Sequence, residues 1–145
     1  MNKPTLQDFF ESLAFNLSTP MRYSCVVSNC LEVERAKYFD ELLNNHLEIV
    51  KVPAFASPKE LVDFLKAHHN LVLYFEDEIL SKRIEYIRLL EGAICANDLG
   101  KPWFVTYEGD NFVFKGKIII ASRLSKEELK KREQLHYILR DSIVL

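Results

Sequence analysis

The chain has 145 residues, 48% of them hydrophobic and 28% charged, with a formal net charge of −2. That length and apolar fraction suit one compact domain that buries well over half of the surface its unfolded chain exposes. The charge excludes an overall positive field that would gather nucleic acid or acidic lipid, and leaves only local basic patches for such work.

Residues Met1 to Ser12 include Asp8 and Glu11 and no apolar run of signal-peptide length. No stretch of about 18 apolar residues occurs anywhere, so no membrane span is expected. Cys25, Cys30 and Cys95 are odd in number and lack zinc spacing. They read as reduced thiols of a cytoplasmic protein, with Cys25 and Cys95 in the core.

In chain order, Thr5 with Asp8 three residues on has the form of a helix cap. Leu6, Phe9, Phe10, Leu13 and Leu17 follow at helical spacing, which predicts a helix over about 5–18. Pro20 ends it. Residues 1–20 are therefore expected to pack as an N-terminal helix on a single core domain over 21–145. Tyr23 to Ser28 reads as a buried strand. Leu31, Ala36, Phe39, Leu42 and Leu43 return to helical spacing, which predicts a helix over about 31–45, and Leu47 to Val52 reads as a second strand.

Ser57-Pro58-Lys59-Glu60 supplies a serine cap, a proline at the first helical position and a glutamate at the third. The helix it starts presents Leu61, Phe64 and Leu65 and runs out at His68-His69-Asn70. Leu71 to Phe75 is continuously apolar and too short for a helix, the pattern of a central parallel strand buried on both faces. A helical region is expected over about 79–97, with Ile84, Ile87, Leu90, Ile94 and Cys95 inward.

Trp103 to Tyr107 and Phe112 to Phe114 alternate around Glu108-Gly109-Asp110-Asn111, which predicts a β-hairpin. Lys117 to Ala121 is a strand dominated by three isoleucines. Ser125 with Glu128 caps a helix expected to run through Leu139, and Ser142 to Leu145 is a short last strand. Strands alternating with helices predict an α/β fold. The expectation is a three-layer, open, mainly parallel five-stranded sheet with helices on both faces and the hairpin inserted before the fourth core strand.

Ligands of such sheets gather at the C-terminal ends of strands, so the loops after Ser28, Val52, Phe75 and Ala121 are the candidates. A phosphate loop needs glycines, a lysine and a hydroxyl. On that template the loop after Ser28 has Asn29 and Glu34 at the glycine positions, Arg35 at the lysine and Ala36 at the hydroxyl. Glu32 and Glu34 would repel phosphate, and an acidic first turn also suits an ordinary helix N-terminus. Phe75-Glu76-Asp77 has the form of an apolar strand ending in two acids, one to orient magnesium and one to polarise water.

Lys115 to Arg123 resembles the sensor-1 strand of AAA+ ATPases of the phage, plasmid and superfamily-3-helicase branch, with Arg123 where the polar sensor stands. Leu139 to Val144 is similar to the stretch of that family that carries an arginine near a subunit interface, here Arg140. The resemblance extends in order and spacing over about residues 21–145. It implies a P-loop ATPase-like core without a lid domain, in which ATP and magnesium would be the cofactors of an active member. The altered phosphate loop and sensor position instead predict a catalytically inactive domain needing no cofactor. It would act as a protein-interaction or assembly module, with a protein partner or a copy of itself, possible links to replication or mobile elements, and no metal.

Two alternatives remain open at this point. One is a divergent ATPase active only in an oligomer, using Arg35, Glu76, Asp77 and Arg140. The other is a small nucleic-acid adaptor working through Lys101, Lys115, Lys117 and Lys131. The acidic hairpin tip, Glu108 and Asp110, would repel phosphate, and Trp103 and Phe104 read as core or interface aromatics. His68-His69 reads as a complement to a helix end rather than a metal site. The run from Lys126 to Arg132, interleaved with Glu127 and Glu128, describes a solvated helix face better than a nucleic-acid stripe.

Overall fold

The computed structural model describes residues 24–28, 31, 33, 36, 37, 40, 49–75, 79–95, 104–140 and 142–144. The expected N-terminal helix over 5–18, Cys30, Lys101 and Trp103 lie outside them. The strands are β1 (Ser24–Val27), β2 (Ile49–Lys51), β3 (Val72–Phe75), β4 (Val105–Tyr107), β5 (Asp110–Phe112), β6 (Lys117–Ala121) and β7 (Ser142–Val144). The helices are α1 (Pro58–Ala67), α2 (Ile84–Ile94), α3 (Lys126–Lys130) and α4 (His136–Arg140). Single 3₁₀ turns at Ile79–Ser81 and Glu133–Leu135 precede α2 and α4. Val33, Ala36, Lys37 and Asp40 are helical.

The main sheet runs in the order β2-β3-β6-β1-β7, and every pairing in it is parallel. The α/β class with a mainly parallel sheet is therefore the one its sequence predicts. Register places Val50, Leu73 and Ile118 in one row and Phe75, Ile120, Val26 and Val144 in the next, on a single face. That face joins Leu61 and Leu65 of α1, Ile87 and Leu90 of α2, and Leu129, Leu135 and Ile138 in one apolar cluster. The alternate residues Ile49, Val72, Tyr74, Ile119 and Ala121 point to the other face and are buried as well. Side chains of a strand alternate between faces, so the centre of the sheet is covered on both sides.

Ser57 caps α1 as its sequence implies, its Oγ accepting from the Glu60 amide at 3.3 Å with Pro58 in the first turn. Leu61, Val62 and Leu65 are buried. At the other end Phe64 stacks on His68, ring centroids 4.2 Å apart.

Three expectations need correction. The helix predicted from Ser125 through Leu139 breaks into α3, a 3₁₀ turn and α4. The Ser125–Glu128 capping box is present, but Leu129 and Leu135 are six residues apart and would face different sides of one continuous helix. Extended backbone at Arg132 (φ −92°, ψ 104°) resets the phase, so both reach the core together with Ile138. Ile84 is 46% exposed because it opens the first turn of α2, and Ile79 and Leu80 of the preceding 3₁₀ turn fill the core in its place. Leu31 (60% exposed) and Ala36 also face solvent rather than the core, as does Val33.

The hairpin forms with a tighter turn than its sequence suggests. Glu108 (φ 48°) and Gly109 (φ 81°) make a two-residue turn, and Asp110 pairs with Tyr107. Positive φ at both central residues matches the twist of the strands. The hairpin lies against α1 and α2. Asp110 meets Lys66 of α1 at 3.0 Å. Gly92 of α2 lets the β4 backbone approach so closely that a Cβ there would stand 2.6 Å from the Phe104 carbonyl oxygen.

Candidate functional site

The connections β2→β3, β3→β6 and β6→β7 all advance the same way along the sheet, whereas β1→β2 runs in reverse. The reversal falls between β1 and β6, whose C-terminal ends are Val27 and Ala121. In open α/β sheets the crevice outside such a switch point is where ligands bind.

Ser122 continues β6 there, its amide donating to the Val27 carbonyl at 2.9 Å. It is fully buried, and its Oγ accepts from the Leu124 amide at 3.1 Å. This bond closes the turn that follows β6. Arg123, the next residue, is exposed, and Ser28, which follows β1, is half-buried. Ala36 lies on the helix that follows β1, exposed and without an oxygen to offer a metal. Asn29, Glu34, Arg35, Glu76 and Asp77 lie outside the described residues.

Arg140 ends α4, two residues before Ser142. Ser142 pairs with Ser24 at the start of β1, so Arg140 sits at the opposite edge of the sheet from Arg123. A four-residue strand is about 13 Å long. The structure therefore does not bring Arg140 and Arg123 together in one chain. The Arg140 guanidinium instead lies 5.1 Å from the centroid of the Tyr137 ring.

A cluster that the sequence reading missed stands on the rim beyond β2 and β3. The Phe55 and Tyr86 rings are 5.2 Å apart, and Lys82 Nζ lies 5.5 Å from the first and 5.9 Å from the second. Arg83 is 5.7 Å from Tyr86 and 4.0 Å from Glu85. The i, i+4 spacing of Lys82 and Tyr86 was the available signal.

The histidines behave as helix-end groups. His68 Nδ1 donates to the Phe64 carbonyl at 2.9 Å, and His69 Nδ1 to that of Lys66 at 3.3 Å. Both must be donors, since a carbonyl only accepts. Among the described residues no group of three or more His, Cys, Asp or Glu side chains could hold a metal ion. Cys95 is buried in the core as expected. No helix among the described residues is long and apolar enough to cross a membrane.

A groove of about 360 Å³ lies between α1 and the hairpin, lined by Lys59, Asp63, Lys66, Tyr107, Glu108 and Asp110 among others. The Tyr107 phenol is pushed above its usual range by burial, and further by Glu108, Glu85 and Asp63. Its charges are of mixed sign, and Lys66 and Asp110 neutralise each other.

Glu91 is a buried acid on α2. Burial raises its pKa, and Arg88, whose Nη1 is 3.8 Å away, lowers it in part. The folded protein thus holds this proton more tightly than the unfolded chain. Stability from this group is highest at acid pH and falls as pH rises through its raised value. Glu91→Gln is expected to raise Tm at neutral pH and to flatten the decline of Tm with pH above about pH 4. Parallel profiles for the two proteins would refute this.

No family model and no curated protein matches the chain.

Proposed function

We propose that the chain is a catalytically inactive AAA+-like domain that serves as a protein-interaction or assembly module. One observation carries the reading. A sensor residue has to reach the outer phosphate and the acids at once, so its strand must lie between the phosphate-loop strand and the acid-ended strand. β6 neighbours both β1 and β3, and its C-terminal end carries Ser122 and Arg123. Handedness supports a third layer as well. Parallel strands are joined by right-handed crossovers in nearly all proteins, so a β1→β2 connection that runs in reverse is expected on the face opposite α1 and α2.

The residues do not suit a magnesium nucleotide. Ala36 has no hydroxyl for the metal, and Arg123 puts a fixed cation where a neutral amide would orient water. Arg140 lies at the opposite end of the strands from Arg123, so a role for it beside a phosphate loop would have to be played in another molecule.

Thermal denaturation in millimolar Mg-ATP tests the reading. The expected result is no saturable change in Tm, since a ligand that binds the folded state must stabilise it. A saturable rise would overturn the proposal in favour of a divergent ATPase.

A further inference from the structure

The basic surface expected at Lys101, Lys115, Lys117 and Lys131 does not form as such, because Lys117 is only 2% exposed. The cations collect elsewhere. The connection between β6 and β7, residues 122–141, carries Arg123, Lys126, Lys130, Lys131, Arg132 and Arg140 against Glu127, Glu128, Glu133 and Asp141, in a chain whose net charge is −2.

In sequence the Lys126 to Arg132 run reads as a solvated face of one helix, but the helix is broken at Arg132, and the break changes how these charges are placed. With Leu129 turned into the core, Lys126 and Lys130, one turn apart, share one flank of α3, Glu128 lies on the other, and exposed Glu127 stands between them on the outer face. Glu128 folds back onto the Ser125 amide at 3.2 Å and is engaged in the cap. Lys131 and Arg132 occupy the break. Among the described residues no acid lies within ion-pair distance of Lys126, Lys130, Lys131 or Arg132. One turn further on, Tyr137 is 42% exposed, with Arg140 over its ring and His136 at its edge, 5.3 Å away.

We infer that residues 126–140 form a docking surface for single-stranded nucleic acid, with Lys126, Lys130, Lys131 and Arg132 on the phosphates and Tyr137 as a stacking platform for a base. Cations that track a backbone beside an exposed ring are the means by which single strands are held without regard to sequence. A lipid surface is the poorer fit, since Leu129, Leu135 and Ile138 are buried and Tyr137 is the one large apolar side chain of this segment that is exposed, too little for insertion of an apolar helix face. A duplex groove is a poor fit too, because α3 and α4 have five residues each. This surface shares only Arg140 with the residues of the proposed function, and neither the phosphate-contacting cations nor Tyr137 belongs to the crevice at the ends of β1 and β6.

The test is fluorescence anisotropy of the full chain with labelled mixed-sequence 20-mers, one DNA and one RNA. Three or four phosphate contacts on a single strand predict that affinity falls roughly 20- to 50-fold between 50 and 200 mM salt. Changing Lys126, Lys130, Lys131 and Arg132 together to Gln should remove most of that salt dependence and weaken binding at least about tenfold. Tyr137→Ala should weaken binding at least about fivefold with the salt slope unchanged.

Matching circular dichroism and Tm would show that the variants fold; the tyrosine variant stands as a separate check if the fourfold variant does not. Absence of binding at 50 mM salt, or binding indifferent to these changes, overturns the proposal. A polyglutamate peptide or phosphatidylserine vesicles bound as tightly as the oligonucleotides would overturn it too, by assigning the surface to an acidic protein or a membrane.

Discussion

Gly116→Ala should lower stability by about 3 kcal/mol, the upper end of what overpacking costs. A Cβ on Gly116 would stand 1.9 Å from the Leu71 carbonyl oxygen and 2.9 Å from its carbon, both backbone atoms that cannot rotate away. The same oxygen accepts the Lys117 amide at 3.2 Å, the bond that starts the β3–β6 ladder. Relief of the clash must therefore part the two central strands where their register begins. Urea unfolding should show a lower midpoint, and heating a Tm reduced by roughly 6–12 °C. Gly109→Ala is the control. Its φ of 81° disfavours a side chain, but nothing lies within 4 Å, so a loss of about 1 kcal/mol is expected. Equal losses at the two glycines would show that the approach to Leu71 is not what matters.

Phe114→Ala is expected to cost about 3–5 kcal/mol, in the range for emptying a buried phenylalanine site. Phe114 is fully buried in the cluster that contains Leu65, Leu90 and Ile118. It lies between β5 and β6, so it ties the hairpin to the core as well as filling space. Phe114→Leu should recover most of the loss, because a smaller cavity remains. The outer contact of the hairpin, the exposed Lys66–Asp110 pair, is too well solvated to compensate. A loss below 1 kcal/mol would mean that the hairpin is held from its surface instead.

What was legible in the sequence follows from the range of the forces involved. The Ser57-Pro58-Glu60 start of α1, the isoleucine run of β6 and the paired runs around Glu108-Gly109 act over a few residues, and each stands where its pattern puts it. The break in the helix expected over 125–139 could not be read locally. Only the position of the core decides that Leu129, Leu135 and Ile138 must all face the same way. Lys117 misled for a related reason. A lysine at the head of an apolar strand reads as exposed until both faces of the sheet are known to be covered.

The candidate crevice follows from the class of the sheet, and its side chains do not. A sheet of this class puts ligand loops at the strand ends, which pointed to Arg123 and to the segment after Ser28. The sequence could not tell that Ser122 spends its hydroxyl on a turn. Nor could it place Arg140 at the far edge, since that depends on a pairing between residues more than a hundred positions apart. The Phe55, Lys82 and Tyr86 cluster joins two loops that only the β2–β3 pairing brings together.

The position of β6 between β1 and β3 also governs when the sheet can be made. About 90 residues separate Val27 from Lys117, and β1 bonds to no strand other than β6 and β7 among the described residues. At a synthesis rate of about 5–20 residues per second, β1 waits roughly 5–20 seconds on the ribosome before its first neighbour exists. The β2–β3 pair can form meanwhile but keeps an open apolar edge until the isoleucines arrive. The nascent chain therefore passes through a period with unpaired hydrophobic strands, and its yield in the cell should depend on what shields them during that interval.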